Sequence, residues 1–233
     1  MRKTLYGTVA LTLLPALTQA MSEDDPILAK VMIDQLEVRA TDGPNPLVVD
    51  ARAWVGQDLN KLWLKLEGEY LDGRTTEAEV QTLYSRALAP YWDLQVGWRH
   101  DIRPKPERDW VAIGFEGLAP YWFEMEGTAF VGERGQVAAR LKGEYEWMFT
   151  QRWVLSPELE VNLQSKDDEA VGVGSGVSDT QLGLRLRYEI RREFAPYIGV
   201  NWTEKYGKTA DFARAEGEDA SDVQFVTGVR AWF

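Results

Sequence analysis

Residues 61–70 alternate strictly, with Leu62, Leu64, Leu66 and Tyr70 on one parity and Lys61, Lys65, Glu67 and Glu69 on the other. Period two with one apolar and one charged face is the pattern of a β-strand. The pattern returns in 182–190, where Leu182, Leu184, Leu186, Tyr188 and Ile190 oppose Gln181, Arg185, Arg187 and Glu189. It returns again in 137–149, where Val137, Ala139, Leu141, Tyr145, Trp147 and Phe149 oppose Arg140, Lys142, Glu144 and Glu146. Read along the chain, it predicts about twelve strands of membrane-crossing length, near 30–39, 47–56, 61–71, 78–88, 91–102, 109–118, 121–131, 136–149, 152–164, 179–190, 194–205 and 222–233.

An even number of strands brings both ends of the chain to one side. The connections on that side are tight: Gly56 to Asn60, Ala89-Pro90, Ala119-Pro120, Thr150-Gln151 and Arg191 to Glu193. Opposite them, 165–178 and 206–221 are longer and rich in Gly, Ser, Asp and Glu. Short periplasmic turns and longer external loops characterise outer-membrane barrels. The string Ala89-Pro90-Tyr91-Trp92 is repeated as Ala119-Pro120-Tyr121-Trp122, one hairpin later, with a weaker copy in Ala195-Pro196-Tyr197. Proline lacks a ladder donor and suits a strand start, while Tyr and Trp favour the membrane interface. Many of the ten tryptophans fall near expected strand ends, as two aromatic girdles require. The fold expected is therefore all-β: a closed antiparallel transmembrane β-barrel of about 12 strands. A soluble β-sandwich is the competing fold, and would bury the apolar faces against each other.

Arg2 and Lys3, the apolar stretch Leu5–Leu17 and the small-residue end Thr18-Gln19-Ala20 form the pattern of a secretory signal peptide. Cleavage after Ala20 leaves a short periplasmic segment, 21–29, ahead of a barrel spanning 30–233. Removing residues 1–20 takes two positive charges and no negative ones, so the net charge moves from −11 to −13. So acidic a balance argues against nucleic-acid binding, which needs a basic face. With no cysteine, disulfides and thiolate metal sites are excluded. Beyond residue 20 no apolar run approaches the roughly 20 residues a membrane helix needs. The chain ends on Phe233 after alternating apolar positions from Phe225, the kind of end that serves the barrel-assembly machinery.

Four strings carry a closer likeness: Asp58-Leu59-Asn60-Lys61-Leu62-Trp63-Leu64-Lys65, Ala87 to Gln95, Gly117 to Glu124, and Leu184 to Tyr197. With Gly217-Glu218-Asp219-Ala220-Ser221-Asp222 ahead of the final strand, they closely resemble the copper resistance protein B family, from about residue 31 to the end. The resemblance implies an outer-membrane protein that works with a periplasmic copper-handling partner to lower the copper load, by binding, sequestration or efflux. Many members carry a Met- and His-rich stretch before the barrel; here residues 21–30 hold one Met and no His. No cofactor is implied, and copper enters as ligand or cargo.

Copper(I) favours sulfur and imidazole, and copper(II) favours imidazole and oxygen. Beyond residue 20 the chain offers one imidazole, His100, and Met only at 21, 32, 125 and 148. His100 shares the outward parity of Trp92, Leu94, Val96 and Trp98, which puts it at the outer rim, either as an interfacial residue or as a ligand with Asp101. Inward parity collects Glu67, Glu69, Asp93, Asp101, Glu116, Glu124, Glu126, Glu144, Glu146, Glu158, Glu160 and Glu189 against Lys61, Lys65, Arg99, Arg140, Lys142, Arg185, Arg187 and Arg230. Folding 121–131 onto 136–149 sets Glu124 and Glu126 opposite Lys142 with Arg140 or Glu144. The metal candidates are thus Glu124, Glu126, Glu144 and Glu146 in the lumen and His100 and Asp101 at the rim. Two readings stay open: a cation path lined by carboxylates, or a structural or adhesive barrel whose lumen is plugged by salt bridges. An enzyme is not expected, because there is no Gly-x-Ser-x-Gly elbow and the lone histidine's neighbour Asp101 points to the opposite face.

Overall fold

The computed structural model describes residues 25–233 except Asp42. The signal peptide expected over 1–20 and its cleavage site lie outside the described residues. One antiparallel sheet closes on itself. Its strands are β1 (Leu28–Ala40), β2 (Leu47–Gly56), β3 (Asn60–Leu71), β4 (Arg74–Ala89), β5 (Trp92–Arg103), β6 (Arg108–Ala119), β7 (Phe123–Gly132), β8 (Val137–Glu144), the two-residue β9 (Trp147–Met148), β10 (Trp153–Gln164), β11 (Gly176–Tyr188), β12 (Phe194–Lys205) and β13 (Ser221–Trp232). Each spanning strand pairs with its sequence neighbours, β8 continuing through β9 alongside β10, and β13 returns to β1. The result is a closed, twelve-stranded up-and-down barrel with no free edge. Closure follows from the alternation: charge gathers inside and the apolar parity forms a continuous outer band.

Five features depart from the sequence reading. The strand expected over 136–149 breaks at Tyr145-Glu146 and resumes as β9. The strands expected from Tyr91 and Tyr121 begin one and two residues later, because both tyrosines sit in the turns with left-handed backbone, φ 69° and 70°. The third Ala-Pro-Tyr copy does not open a strand at the interface. Its turn lies upstream, at Arg191–Phe194, so Tyr197 is already inside β12 and points into the lumen at 4% exposure. The tryptophans do not all form girdles: Trp63 and Trp110 are buried inside with Met32, Leu83 and Phe130, and Trp54 and Trp232 pack against that cluster. Finally, the stretch 206–221 is not wholly loop but carries helix α1 (Gly207–Glu216).

Both described chain ends meet at one rim, the terminal end, where Val31 and Phe233 exchange backbone hydrogen bonds. At the far end most hairpins are short, including Asp72-Gly73, where both residues have positive φ. Only 165–175 and 206–220 are long, and they pack on each other. The Gly174 N–H donates to Thr209 Oγ1 at 2.9 Å, and Lys208 Nζ meets Asp167 at 2.5 Å. A Cβ on Gly174 would lie 2.7 Å from that of Lys208, so only glycine allows this approach.

The Lys208 ammonium, with the Ser175 N–H, lowers the Asp167 carboxyl to about 2. A carboxyl depressed on folding stabilises above its ordinary value, near 3.8, and loses that contribution as pH falls through the folded value. The clasp should therefore hold at pH 4 and open near pH 2, outside the membrane. Amide exchange of Gly174 by NMR checks this, and protection unchanged at pH 2 would show that the helix is held by other contacts.

Candidate functional site

The lumen is the only large collection of chemistry-bearing side chains among the described residues, and the bulge in β1 shapes it. A register shift between Ile33 and Leu36 turns both Asp34 and Gln35 inward. Beyond the bulge the parity is reset, so Glu37 faces the lumen while Leu36 and Val38 face out.

At mid-height, Arg185 of β11 donates from Nε and Nη2 to Glu37 at 2.9 Å each, from Nη1 to Glu158 at 2.8 Å and from Nη2 to Gln35 at 3.0 Å. The Tyr197 hydroxyl donates to Glu37 at 3.0 Å. Lys65 of β3 reaches Glu126 at 2.8 Å and Glu116 at 3.1 Å. Lys142 of β8 reaches Glu67 at 2.6 Å, Glu160 at 3.2 Å and Asp50 at 3.9 Å. Towards the far end, Arg140 binds Glu67 and Glu79 at 2.9 and 3.0 Å. Arg99 ties Glu79 to Asp101 at 2.8 and 2.7 Å and lies over the Phe130 ring at 4.6 Å. Towards the terminal end, Glu146 takes Arg187 at 2.5 Å and Arg230 at 2.9 Å, Glu144 meets both at 3.5 Å, and Arg52 binds Asp34 at 2.6 Å.

The decisive property is where these partners sit on the ring. Neighbouring strands are about 4.8 Å apart, so residues several strands apart can touch only through the lumen. Arg140 and Lys142 on β8 meet Glu67 on β3, five strands away, and Lys142 approaches Asp50 on β2, the diametrically opposite strand. Arg52 of β2 reaches Glu116 of β6 at 3.3 Å, and Gln35 of β1 reaches Glu158 of β10 at 2.8 Å. The ion pairs are struts across the bore. Between them lies a cavity of about 110 Å³, lined by both signs of charge.

The carboxylates expected in the lumen are there, but they are not a common site. In the ladder Glu126 faces Lys142 and Glu124 faces Glu144, one of the two registers expected. Glu126 nevertheless bonds Lys65 across the bore, because Lys142 is drawn to Glu67 and Glu160. Glu144 and Glu146 are held by Arg187 and Arg230; Glu124, opposite Glu144, has no cation within 4.0 Å among the described residues. His100 and Asp101 are separated by the sheet. Asp101 is buried inside, accepting from Arg99 and Trp110 and pairing with Arg108. His100 faces out at the far rim, stacked on Trp98 at 5.4 Å, with Nδ1 2.7 Å from Asp109 and Nε2 4.0 Å from Glu107. Asp109 also accepts from the Trp98 indole. No three His, Asp or Glu side chains converge as a metal centre among the described residues.

Sequence reasoning missed Asp34, Glu37, Asp50, Arg52 and Glu79 inside, and Asp109 as the partner of His100. For Asp50 and Arg52 the signal was present, since they alternate with Val49, Ala51, Ala53 and Val55.

The family profile described as "Copper resistance protein B precursor (CopB)" matches residues 27–233. The chain belongs to the copper resistance protein B family. It is 51% identical to copper resistance protein B of Escherichia coli over 210 residues, which covers 90% of this chain and 71% of that one. It is 42% identical, over the same shares, to the copper resistance protein B homolog of Pseudomonas syringae pv. tomato. Among solved structures the NanC porin superposes with TM-score 0.58 at 12% identity and the KdgM porin with 0.52 at 12%, each covering 88% of this chain and 99% of the porin. At that identity the porins establish the fold alone. The protein is a copper-resistance barrel of the bacterial outer membrane, and lipid is its surroundings.

Proposed function

We propose that this barrel serves copper resistance by binding copper and supporting its handling at the outer membrane, with a lumen closed to free diffusion, rather than as an open cation pore. The observation that carries this reading is the set of ion pairs that cross the bore between opposite strands. A conduit needs sites that bind weakly enough to release, and here nearly every inward carboxylate near mid-height is already held by an arginine or lysine.

The donor set limits how copper is held. The sulfur that copper(I) favours is poorly placed among the described residues: Met125 and Met148 are exposed on the lipid side and Met32 is locked in the apolar cluster. For copper(II) the best nitrogen and oxygen donors are His100 Nε2 and Glu107. Asp109 fixes the imidazole from behind, as a carboxylate commonly does for a ligating histidine. Two donors make a weak site, so a periplasmic copper-handling partner is part of the proposal. Glu126, Glu144 and Glu146 act as lattice members, and Glu124 is the one of the four free to meet a cation.

A deletion strain complemented with wild type, with His100→Ala, or with Glu124, Glu126, Glu144 and Glu146 all changed to Gln separates the alternatives. Expected results are no steady conductance of the wild-type barrel in planar bilayers, lost copper tolerance in the deletion strain, and reduced tolerance with His100→Ala. The Gln set should lower barrel stability. A cation-selective wild-type conductance that falls with tolerance in the Gln set would establish efflux through the lumen instead. Undiminished tolerance in the deletion strain would leave a purely structural or adhesive barrel.

A further inference from the structure

The lipid face at the terminal end carries a shallow, open cleft. It lies where β9 turns into β10 beside the end of β11, and is lined by Thr150, Gln151, Arg152, Trp153 and Tyr188 around an open volume of about 410 Å³. The Trp153 and Tyr188 rings stand 4.8 Å apart as a pair in the aromatic girdle, the depth at which phospholipid headgroups meet a barrel.

Thr150, Arg152 and Tyr188 each leave a free donor at this cleft. Thr150 Oγ1 accepts the backbone N–H of Arg152 at 3.2 Å and of Trp153 at 3.0 Å. With both lone pairs used, its O–H proton is left to donate. Arg152 Nη1 donates to the Tyr188 hydroxyl at 3.3 Å, which leaves the phenolic proton and the remaining guanidinium N–H groups free. Arg152 is exposed and, among the described residues, has no carboxylate within 4.0 Å. The lumen arginines, by contrast, are all paired.

We propose that this cleft binds the phosphodiester of a membrane phospholipid in the leaflet at the terminal end. The phosphate oxygens take the guanidinium fork together with the Thr150 and Tyr188 hydroxyls, and an acyl chain lies against Trp153. Arginine suits the task because its planar fork matches the geometry of phosphate oxygens. An anionic protein or a free sugar acid would bring charge but no chain for the aromatic wall.

The test uses the full barrel refolded in detergent, titrated with dimyristoyl phosphatidylglycerol and read by native mass spectrometry. Wild type should retain one lipid at low lipid excess. Arg152→Gln should lose about tenfold in occupancy, the cost expected for one charge-assisted contact, whereas Arg214→Gln on α1 at the far end should not change it. Heat-modifiable gel migration verifies folding of each variant. If Arg152→Gln does not fold, Tyr188→Phe supplies the reading, since it removes one donor and no charge and should still lower occupancy. Wild-type occupancy in Arg152→Gln, or in Tyr188→Phe where that variant carries the test, would overturn the proposal. So would displacement of the lipid by an equal concentration of inorganic phosphate, which would mark the cleft as a site for free anion.

Discussion

Replacing Arg185 by methionine should lower the unfolding free energy of the barrel by about 3–5 kcal/mol, the usual cost of removing one partner from a buried ion pair. The side chain of Arg185 is 6% exposed and that of Glu37 is fully buried. Methionine fills much of the same space, so the loss is electrostatic rather than a cavity. Glu37 would keep Arg39 at 2.9 Å and the Tyr197 hydroxyl at 3.0 Å, while Glu158 and Gln35 would lose their shared donor. Arg185→Lys should recover little, because one ammonium cannot reproduce two parallel bonds to Glu37 and a third to Glu158. Pairing Arg185→Met with Glu158→Gln should recover part of the loss, since Glu158 has no other cation within 4.0 Å among the described residues and the stranded charge is then gone. Urea unfolding in phospholipid vesicles, followed by tryptophan fluorescence, measures all four proteins. An Arg185→Met barrel as stable as wild type would mean that the mid-height struts are ornamental and the bore free to open.

The alternation of residues was enough to give strand number, closure and the sign of each face, because in a barrel the side-chain period is set by backbone geometry and nothing else competes with it. It failed where geometry changes locally. The bulge at Ile33–Gln35 costs one residue of phase, and with it the inward placement of Asp34 and Glu37; no side-chain pattern in 30–39 announces it. Leu83 breaks the polar run Glu77, Glu79, Gln81, Ser85 by facing inward at 1% exposure, which hid Glu79. The Ala-Pro-Tyr motif was read by position in its string, yet Tyr91 and Tyr121 are turn residues while Tyr197 lies three residues into a strand. What no alternation can report is partner choice across the bore. Register places Glu126 beside Lys142, but Lys142 and Glu126 each have better partners on opposite strands. The lattice is decided in the third dimension, and so is the separation of His100 from Asp101, whose adjacency in sequence guarantees opposite faces.

The other large effect expected is on the lipid side. Leu64, near the middle of β3 and 42% exposed, is flanked by Ala53 and Thr82 on the same face, so it meets the hydrocarbon of the bilayer. Leu64→Arg should therefore cost about 2–4 kcal/mol, as arginine does on barrel surfaces at mid-membrane, and Leu184→Arg on β11 should cost about as much. The neighbouring position tells the opposite story. Lys65→Arg keeps a cation inside, near Glu126 and Glu116, and should cost far less. The same comparison near the strand end, at Leu62, should show a smaller penalty, because an arginine there snorkels to the interface. Refolding of the four variants in vesicles, with stability read by denaturant titration, compares the two parities directly. Equal losses for Leu64→Arg and Lys65→Arg would contradict a lipid-facing Leu64. A full loss at Leu62 would place the membrane boundary closer to the terminal end than Trp153 and Tyr188 mark it, and would move the phosphate level away from Arg152.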